Sequence, residues 1–188
     1  MRKLKLQMQI SLDGFVAGPN GEMDWIAWNW DAALNEYVDK ITASVDCILL
    51  GRKLAEGFIP SWESRLADAE SADDAARKFV HTPKIVFSKT VQKMEGKNTQ
   101  VEHGDLVSVV KHLKNQEGQD IIAYGGSSFV SSLIREDLID EYHLFINPTA
   151  IGKGMSIFGS LEQKRNLQSS HVRAFECGIV ALCYSPIR

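Results

Sequence analysis

One segment limits what this chain can fold into more than any other: an apolar strand pattern that ends in paired glycines and passes directly into a helical pattern. It runs Ile121-Ile122-Ala123-Tyr124-Gly125-Gly126-Ser127-Ser128-Phe129-Val130. Two residues without Cβ let backbone N–H groups come close to an anion, and Ser127 or Ser128 stands where a side chain caps a helix whose positive end favours negative charge. Phe129, Val130, Leu133 and Ile134 then recur at helical spacing. The segment reads as strand, turn and helix, with either a bound phosphate on the turn or a tight connection that holds no ligand.

Other segments repeat the order of strand and helix. Met1–Ile10 alternates polar and apolar residues as a strand does, and Asp13 to Gly21 is dense in turn formers, with Trp25, Trp28 and Trp30 close behind. Leu34, Tyr37, Val38 and Ile41 mark an amphipathic helix over about 31–44, followed by a buried strand, Cys47–Leu50, that stops at Gly51. Ser71 and Asp74 resemble a capping box for a helix reaching about Val80, and Lys84–Phe87 is the next strand. Asp105 is placed to cap a helix from Leu106 to about Asn115. This alternation predicts an α/β fold with a largely parallel sheet and helices on both faces. The last third differs: Glu141–Asn147 reads as a strand, and Ser169–Phe175 with Gly178–Tyr184 reads as an antiparallel hairpin at the sheet edge.

At 188 residues and 44% hydrophobic the chain suits one sizeable core, so a single domain over 1–188 is expected. A formal net charge of −3 leaves no basic footprint for nucleic acid, and no apolar run approaches the roughly 20 residues that span a bilayer. The N-terminus lacks the apolar core of a secretory signal, which points to the cytoplasm. Cys47, Cys177 and Cys183 sit in apolar surroundings without Cys-x-x-Cys spacing and read as thiols, not as a disulfide frame or a metal site.

Two further strand ends suit anions. Leu49-Leu50-Gly51-Arg52-Lys53 places two cations in what reads as a first helical turn, where acidic residues are usual; Phe87-Ser88-Lys89-Thr90 ends a strand in hydroxyls and a cation. Anion-suited groups at the carboxyl ends of successive parallel strands fit a dinucleotide, which carries a pyrophosphate and, in NADP, one more phosphate. Gly-x-Ser-x-Gly, His-Glu-x-x-His and Walker patterns are absent. Asp13, Asp24, Asp31, Glu36 and Asp39 cluster near the first loop and helix and include candidate proton donors.

In this order the residues resemble the dihydrofolate reductase superfamily, and most closely stand-alone proteins related to the C-terminal reductase domain of the bifunctional riboflavin-biosynthesis deaminase/reductase. The resemblance rests on Ser11-Leu12-Asp13-Gly14, Leu50-Gly51-Arg52-Lys53, Ser88-Lys89-Thr90, Tyr124-Gly125-Gly126, and Asp140–Pro148 leading to Gly152-Lys153-Gly154. It implies a three-layer fold with about eight strands, and an oxidoreductase that takes NADPH and a small heterocyclic substrate, with a homodimer possible. Gly51, Arg52 and Lys53 would meet the cofactor phosphates, and Ser88 and Lys89 the 2′-phosphate. Tyr124, Gly125, Gly126, Ser127 and Ser128 would surround the pyrophosphate, with Ala17 and Gly18 near the nicotinamide in a closing loop. Asp13, Phe15, Trp25 and Trp28 would line the substrate side. Glu36, or next Asp31, would match the acid that assists protonation in dihydrofolate reductases. Tyr124 stands where the riboflavin-pathway enzymes commonly carry a glutamate, Leu54 where they carry a threonine, and residues 56–62 hold no arginine. These departures separate cofactor use from substrate identity. A true dihydrofolate reductase and a non-catalytic NADPH-binding module are the alternatives.

Overall fold

The computed structural model describes residues 1–188. Its strands are β1 (Leu4–Ile10), β2 (Val45–Gly51), β3 (Lys84–Phe87), β4 (Thr99–Glu102), β5 (Asp120–Ala123), β6 (Glu141–Ile146), β7 (Leu167–Ala174) and β8 (Val180–Pro186). They form one sheet in the order β4-β3-β2-β5-β1-β6-β8-β7. The first six pair in parallel, and β8 runs antiparallel to both β6 and β7. The helices are α1 (Ala32–Thr42), α2 (Arg52–Ala67), α3 (Asp74–His81), α4 (Leu106–Asn115) and α5 (Ser127–Arg135). The expected α/β architecture, mainly parallel with an antiparallel C-terminal hairpin, is the observed one. No helix is long and apolar enough to cross a membrane.

Alternation along the strands divides the interior into two apolar layers. Leu4, Leu6, Met8 and Ile10 of β1 pack with Val110 of α4 and with Val130 and Leu133 of α5. Leu34 and Ile41 of α1, Ile59 of α2 and Phe79 of α3 pack on the opposite face against Ile48, Leu50, Val86 and Phe145. Burial of a Leu or Ile side chain contributes roughly 1.5–3 kcal/mol, so these layers dominate the stability of the fold.

One strand is added and two local expectations are corrected. β4 was not predicted, because Thr99-Gln100-Val101-Glu102 offers one apolar residue, enough for an edge strand but not for a pattern. The start of α3 is capped by Asp73, which accepts from the Ala76 N–H at 2.8 Å, while Ser71 donates to Asp68 at 2.8 Å. The start of α5 has no side-chain cap: Gly126 is the cap residue, Ser127 donates to the Met155 sulfur, and Ser128 lends its carbonyl to Ser132.

The amino ends of the strands are closed by buried charges that all have partners. Lys84, 1% exposed, donates to the carbonyls of Phe79, Val80 and Thr82 at 2.9–3.0 Å and so finishes α3. Lys5 lies 2.9 Å from Asp120, Lys114 lies 2.6 Å from Asp140, and Arg2 pairs with Asp46 while donating to the Gln119 carbonyl at 2.7 Å.

Candidate active site

The parallel run β3-β2-β5-β1-β6 brings the carboxyl ends of five neighbouring strands into one row. Ser88, Gly51, Gly125-Gly126, Ser11 and Asn147 follow those ends in that order across the sheet. In open α/β sheets this edge is where ligands bind.

The centre of the row is made by close backbone approach. The Gly51 N–H donates to the Gly125 carbonyl at 2.8 Å. A Cβ on Gly51 would stand 2.8 Å from Phe129 Cβ and 3.2 Å from the Gly126 nitrogen, so only glycine lets β2 meet the start of α5. Gly125 has φ +131°, a conformation that L side chains rarely adopt. Gly126 has φ −72°, and a Cβ there would meet nothing within 4 Å. No neighbouring atom of the fold excludes a side chain at this glycine; the space in front of it is open.

Helix starts set this region apart. α1, α3 and α4 begin at Asp31, Asp73 and Asp105, and each carboxylate accepts an N–H of its first turn. α2 and α5 begin at Gly51 and Gly126, and neither has a side-chain cap. Each start therefore presents unsatisfied donors and the positive end of a helix toward the same place. Arg52 and Lys53 lie in the first turn of α2, Arg52 half-buried and 2.5 Å from Glu56, Lys53 exposed. The third strand end is less open. Ser88 is buried and accepts the N–H groups of Thr90 and Val91, and Lys89 rests on the carbonyls of His103 and Gly104.

The loop after β1, which holds Ala17 and Gly18, is zipped to the segment after β6. Leu12 donates to the Thr149 carbonyl, Val16 donates to the Met155 carbonyl and Met155 donates to the Ala17 carbonyl, all at 2.8 Å, so that Ala17 bridges Met155. Asp13 accepts from Ser11 at 2.6 Å, from Gly152 at 2.6 Å and from Ile151. The Ser11 hydrogen bond, ahead of those from Gly152 and Ile151, holds its carboxyl below the usual range. Its carboxylate joins two loops. Gly18, buried, accepts an N–H from Gly21 and donates to Glu22, and Phe15 packs beside Gly154.

Glu36 is where the structure departs furthest from expectation. It is exposed, 2.6 Å from Lys40, and hydrogen bonding and charge from Lys40 hold its carboxyl below its ordinary value. The helix turns Leu34, Tyr37 and Ile41 toward the sheet, which leaves position 36 outside the cleft. Asp31 is committed to the Leu34 and Cys177 N–H groups. Neither carboxyl meets the requirement of a buried acid with a raised pKa.

The aromatic residues are also redistributed. Trp28 is 66% exposed and stacks on Trp30, which stacks on Phe145, with centroids 6.1 and 6.5 Å apart. Trp25 is half-buried and donates to the Glu22 carbonyl. Trp30, Tyr37 and Phe145 form the wall on the α1 side; the tryptophan cluster signalled this wall, though not which member faces inward. On the α2 side, Tyr124 packs edge-on against Phe58 at 5.6 Å, and burial raises its phenol well above normal, so it remains protonated. Asn147, fully buried and missed from sequence, accepts the Ala27 N–H at 2.9 Å and donates to Gln9 at 2.8 Å, which holds the loop before α1 over the sheet.

The family profile of the RibD C-terminal domain matches residues 2–181. The chain belongs to the RibD C-terminal domain family. It is 32% identical over 186 residues to the uncharacterized protein YyaP of Bacillus subtilis, covering 97% of this chain and 94% of that one. Among solved structures it is similar to the deaminase/5-amino-6-(5-phosphoribosylamino)uracil reductase of Thermotoga maritima, with a TM-score of 0.70 and 18% identity, over 99% of this chain and 57% of that one. Dihydrofolate reductase from Enterococcus faecalis, complexed with NADP(H), has a TM-score of 0.63 and 13% identity, over 99% and 97% of the chains. As a member of the RibD C-terminal domain family the chain has the dihydrofolate-reductase-like fold, with its glycine-lined row of strand ends in the position described above.

Proposed function

We propose that this protein is an NADPH-dependent reductase of a small heterocyclic substrate. The observation that carries the reading is the pair of uncapped helix starts, α2 and α5, meeting at Gly51 and Gly126 with open space where a Gly126 Cβ would be. That arrangement fits a pyrophosphate: backbone N–H groups at Ser127 and Ser128 and the first turn of α2, with Arg52 and Lys53, supply donors and positive charge. Ser88 and Lys89 would receive a 2′-phosphate once Lys89 leaves its carbonyl partners. NADPH, when bound, supplies a hydride. The protein's part is to hold and orient, with Ala17 and Gly18 beside the nicotinamide and Phe15 and the aromatic wall around Trp30 against the substrate. A flat heterocycle suits such a wall.

Glu36 has no part in this chemistry, which also weighs against a true dihydrofolate reductase. Tyr124, Leu54 and the arginine-free segment 56–62 argue for a substrate other than the phosphoribosyl compound of the riboflavin pathway.

Titrating NADPH and NADH against the wild type and Gly126→Val, by nicotinamide fluorescence or calorimetry, tests the reading. Tight NADPH binding that the variant abolishes supports it, and the absence of binding by either nucleotide overturns it. Binding without oxidation across a panel of pterins, pyrimidines and quinones would favour a non-catalytic module instead.

A further inference from the structure

The face of the sheet beneath α1 carries a second cluster of reactive groups that the proposed reductase chemistry does not use. Antiparallel pairing places Cys183 of β8 opposite His143 of β6 on one side and His171 of β7 on the other. Paired residues share a face, so the thiol and the imidazole are neighbours. The β7–β8 register shifts between Ser169 and His171, which makes Ser170 the extra residue of a bulge beside Cys183; its hydroxyl donates to the Cys183 carbonyl at 3.2 Å. Bulges at sheet edges commonly re-aim side chains. His143 is 7% exposed; its Nε2 lies 3.4 Å from Glu141 Oε2, and its Nδ1 has no hydrogen-bond partner. Glu141 is in turn 2.6 Å from Lys3. Thiol, imidazole, carboxylate and ammonium thus form a chain, at the end of β6 opposite Asn147.

The electrostatics of this chain favour a charged thiol and ring. Burial pushes the Cys183 thiol up, but its neighbours His143, across the strand pair, and Ser170 outweigh burial and hold the thiol below its ordinary value. For His143, burial acts downward, and the neighbouring Cys183 and Glu141 outweigh it and raise the ring above its ordinary pKa. The His143 hydrogen bond holds Glu141 at about 2, with Lys3 adding to it against burial. Other groups near the thiol are Tyr37 from α1, pushed up to about 12 by burial and therefore neutral, and His171 and Arg173 from β7. The other two cysteines lack this setting: burial raises Cys47 to about 11, and Cys177 has no imidazole opposite it.

We propose that Cys183 is a peroxide-sensitive thiol, activated by His143 and Glu141. The thiolate sulfur attacks one oxygen of a small hydroperoxide: an S–O bond forms as the O–O bond breaks, sulfur is oxidised to a sulfenic acid, and the peroxide is reduced. The departing alkoxide or hydroxide takes the imidazolium proton and leaves as alcohol or water. Cys183 is 8% exposed, so the oxidant it suits is a small hydroperoxide, not a disulfide as bulky as oxidised glutathione.

The test treats the full chain with hydrogen peroxide over a pH series and quantifies, by peptide mass spectrometry, the addition of one oxygen at each cysteine. Cys183 is expected to oxidise about tenfold faster than the more exposed Cys177 near neutral pH, with its rate rising at lower pH than that of an ordinary thiol. His143→Gln should remove most of that advantage and restore an ordinary thiol pH profile. Faster oxidation of Cys177 in the wild type would overturn the proposal, and this comparison needs no variant to fold. A folded His143→Gln protein with an unchanged Cys183 rate would overturn it equally.

Discussion

The two ends of the parallel strands are built on opposite principles. At the amino ends, Lys84, Lys5, Lys114 and Arg2 are buried and fully partnered, so each charge is committed to the fold. At the carboxyl ends, Gly51 and Gly126 open two helices whose first N–H groups no side chain satisfies. α1, α3 and α4 show that this chain readily places an aspartate at a helix start. Glycine in place of an aspartate cap costs only a few tenths of a kcal/mol, so omitting the cap twice, side by side, leaves the first N–H groups open at little cost, at an edge where a phosphate can take them up. Polar groups with every partner in place mark structure, and polar donors left open together mark a site.

The largest effect expected from this contrast is at the closed end. Lys84→Ala strands three buried carbonyls at the end of α3 and should cost about 3 kcal/mol in urea unfolding, with NADPH affinity of the folded fraction unchanged. A loss of affinity without a loss of stability would invert the assignment of the two ends. Gly126→Val should do the reverse. With φ −72° and no atom within 4 Å of where its Cβ would stand, it should leave the unfolding midpoint nearly unchanged. It should weaken NADPH binding about a hundredfold, equivalent to roughly 2.8 kcal/mol.

A third test concerns pH at the closed end. Glu141 has a folded value of about 2 against an ordinary 4.5, so it stabilises the fold fully above pH 4.5, and that contribution is lost as pH falls toward 2. Glu141→Gln should therefore be less stable than wild type at pH 6, and the gap should narrow as pH falls through that window. A constant gap in denaturation curves at pH 6 and pH 3 would show that the carboxylate is not linked to folding. The smallest effect is assigned to Glu36→Gln, which removes an exposed pair with Lys40 and should change neither turnover nor its pH profile. A twofold or greater loss of kcat would restore a role to that carboxyl.

Sequence alone determined the elements whose signals are local. Asp105 before Leu106–Asn115 was legible because a cap acts within one turn, and the strand-to-glycine junctions at Gly51 and Gly125 were legible because a residue without Cβ has few other reasons to stand there. The same reading placed Glu36 in the cleft, since spacing along a helix shows that a face exists before it shows which residues point to the sheet. Only tertiary structure decided that Leu34 and Tyr37 turn inward, that Trp30 rather than Trp28 backs the site, and that Asn147 ties the loop to Gln9, 138 residues away. It also decided that Asp13 joins two loops and that Cys183 meets His143. The physical reason is common to all of these: propensity and capping depend on neighbours in the chain, whereas burial, pairing and proton affinity depend on neighbours in space, and those are set when the sheet order is set.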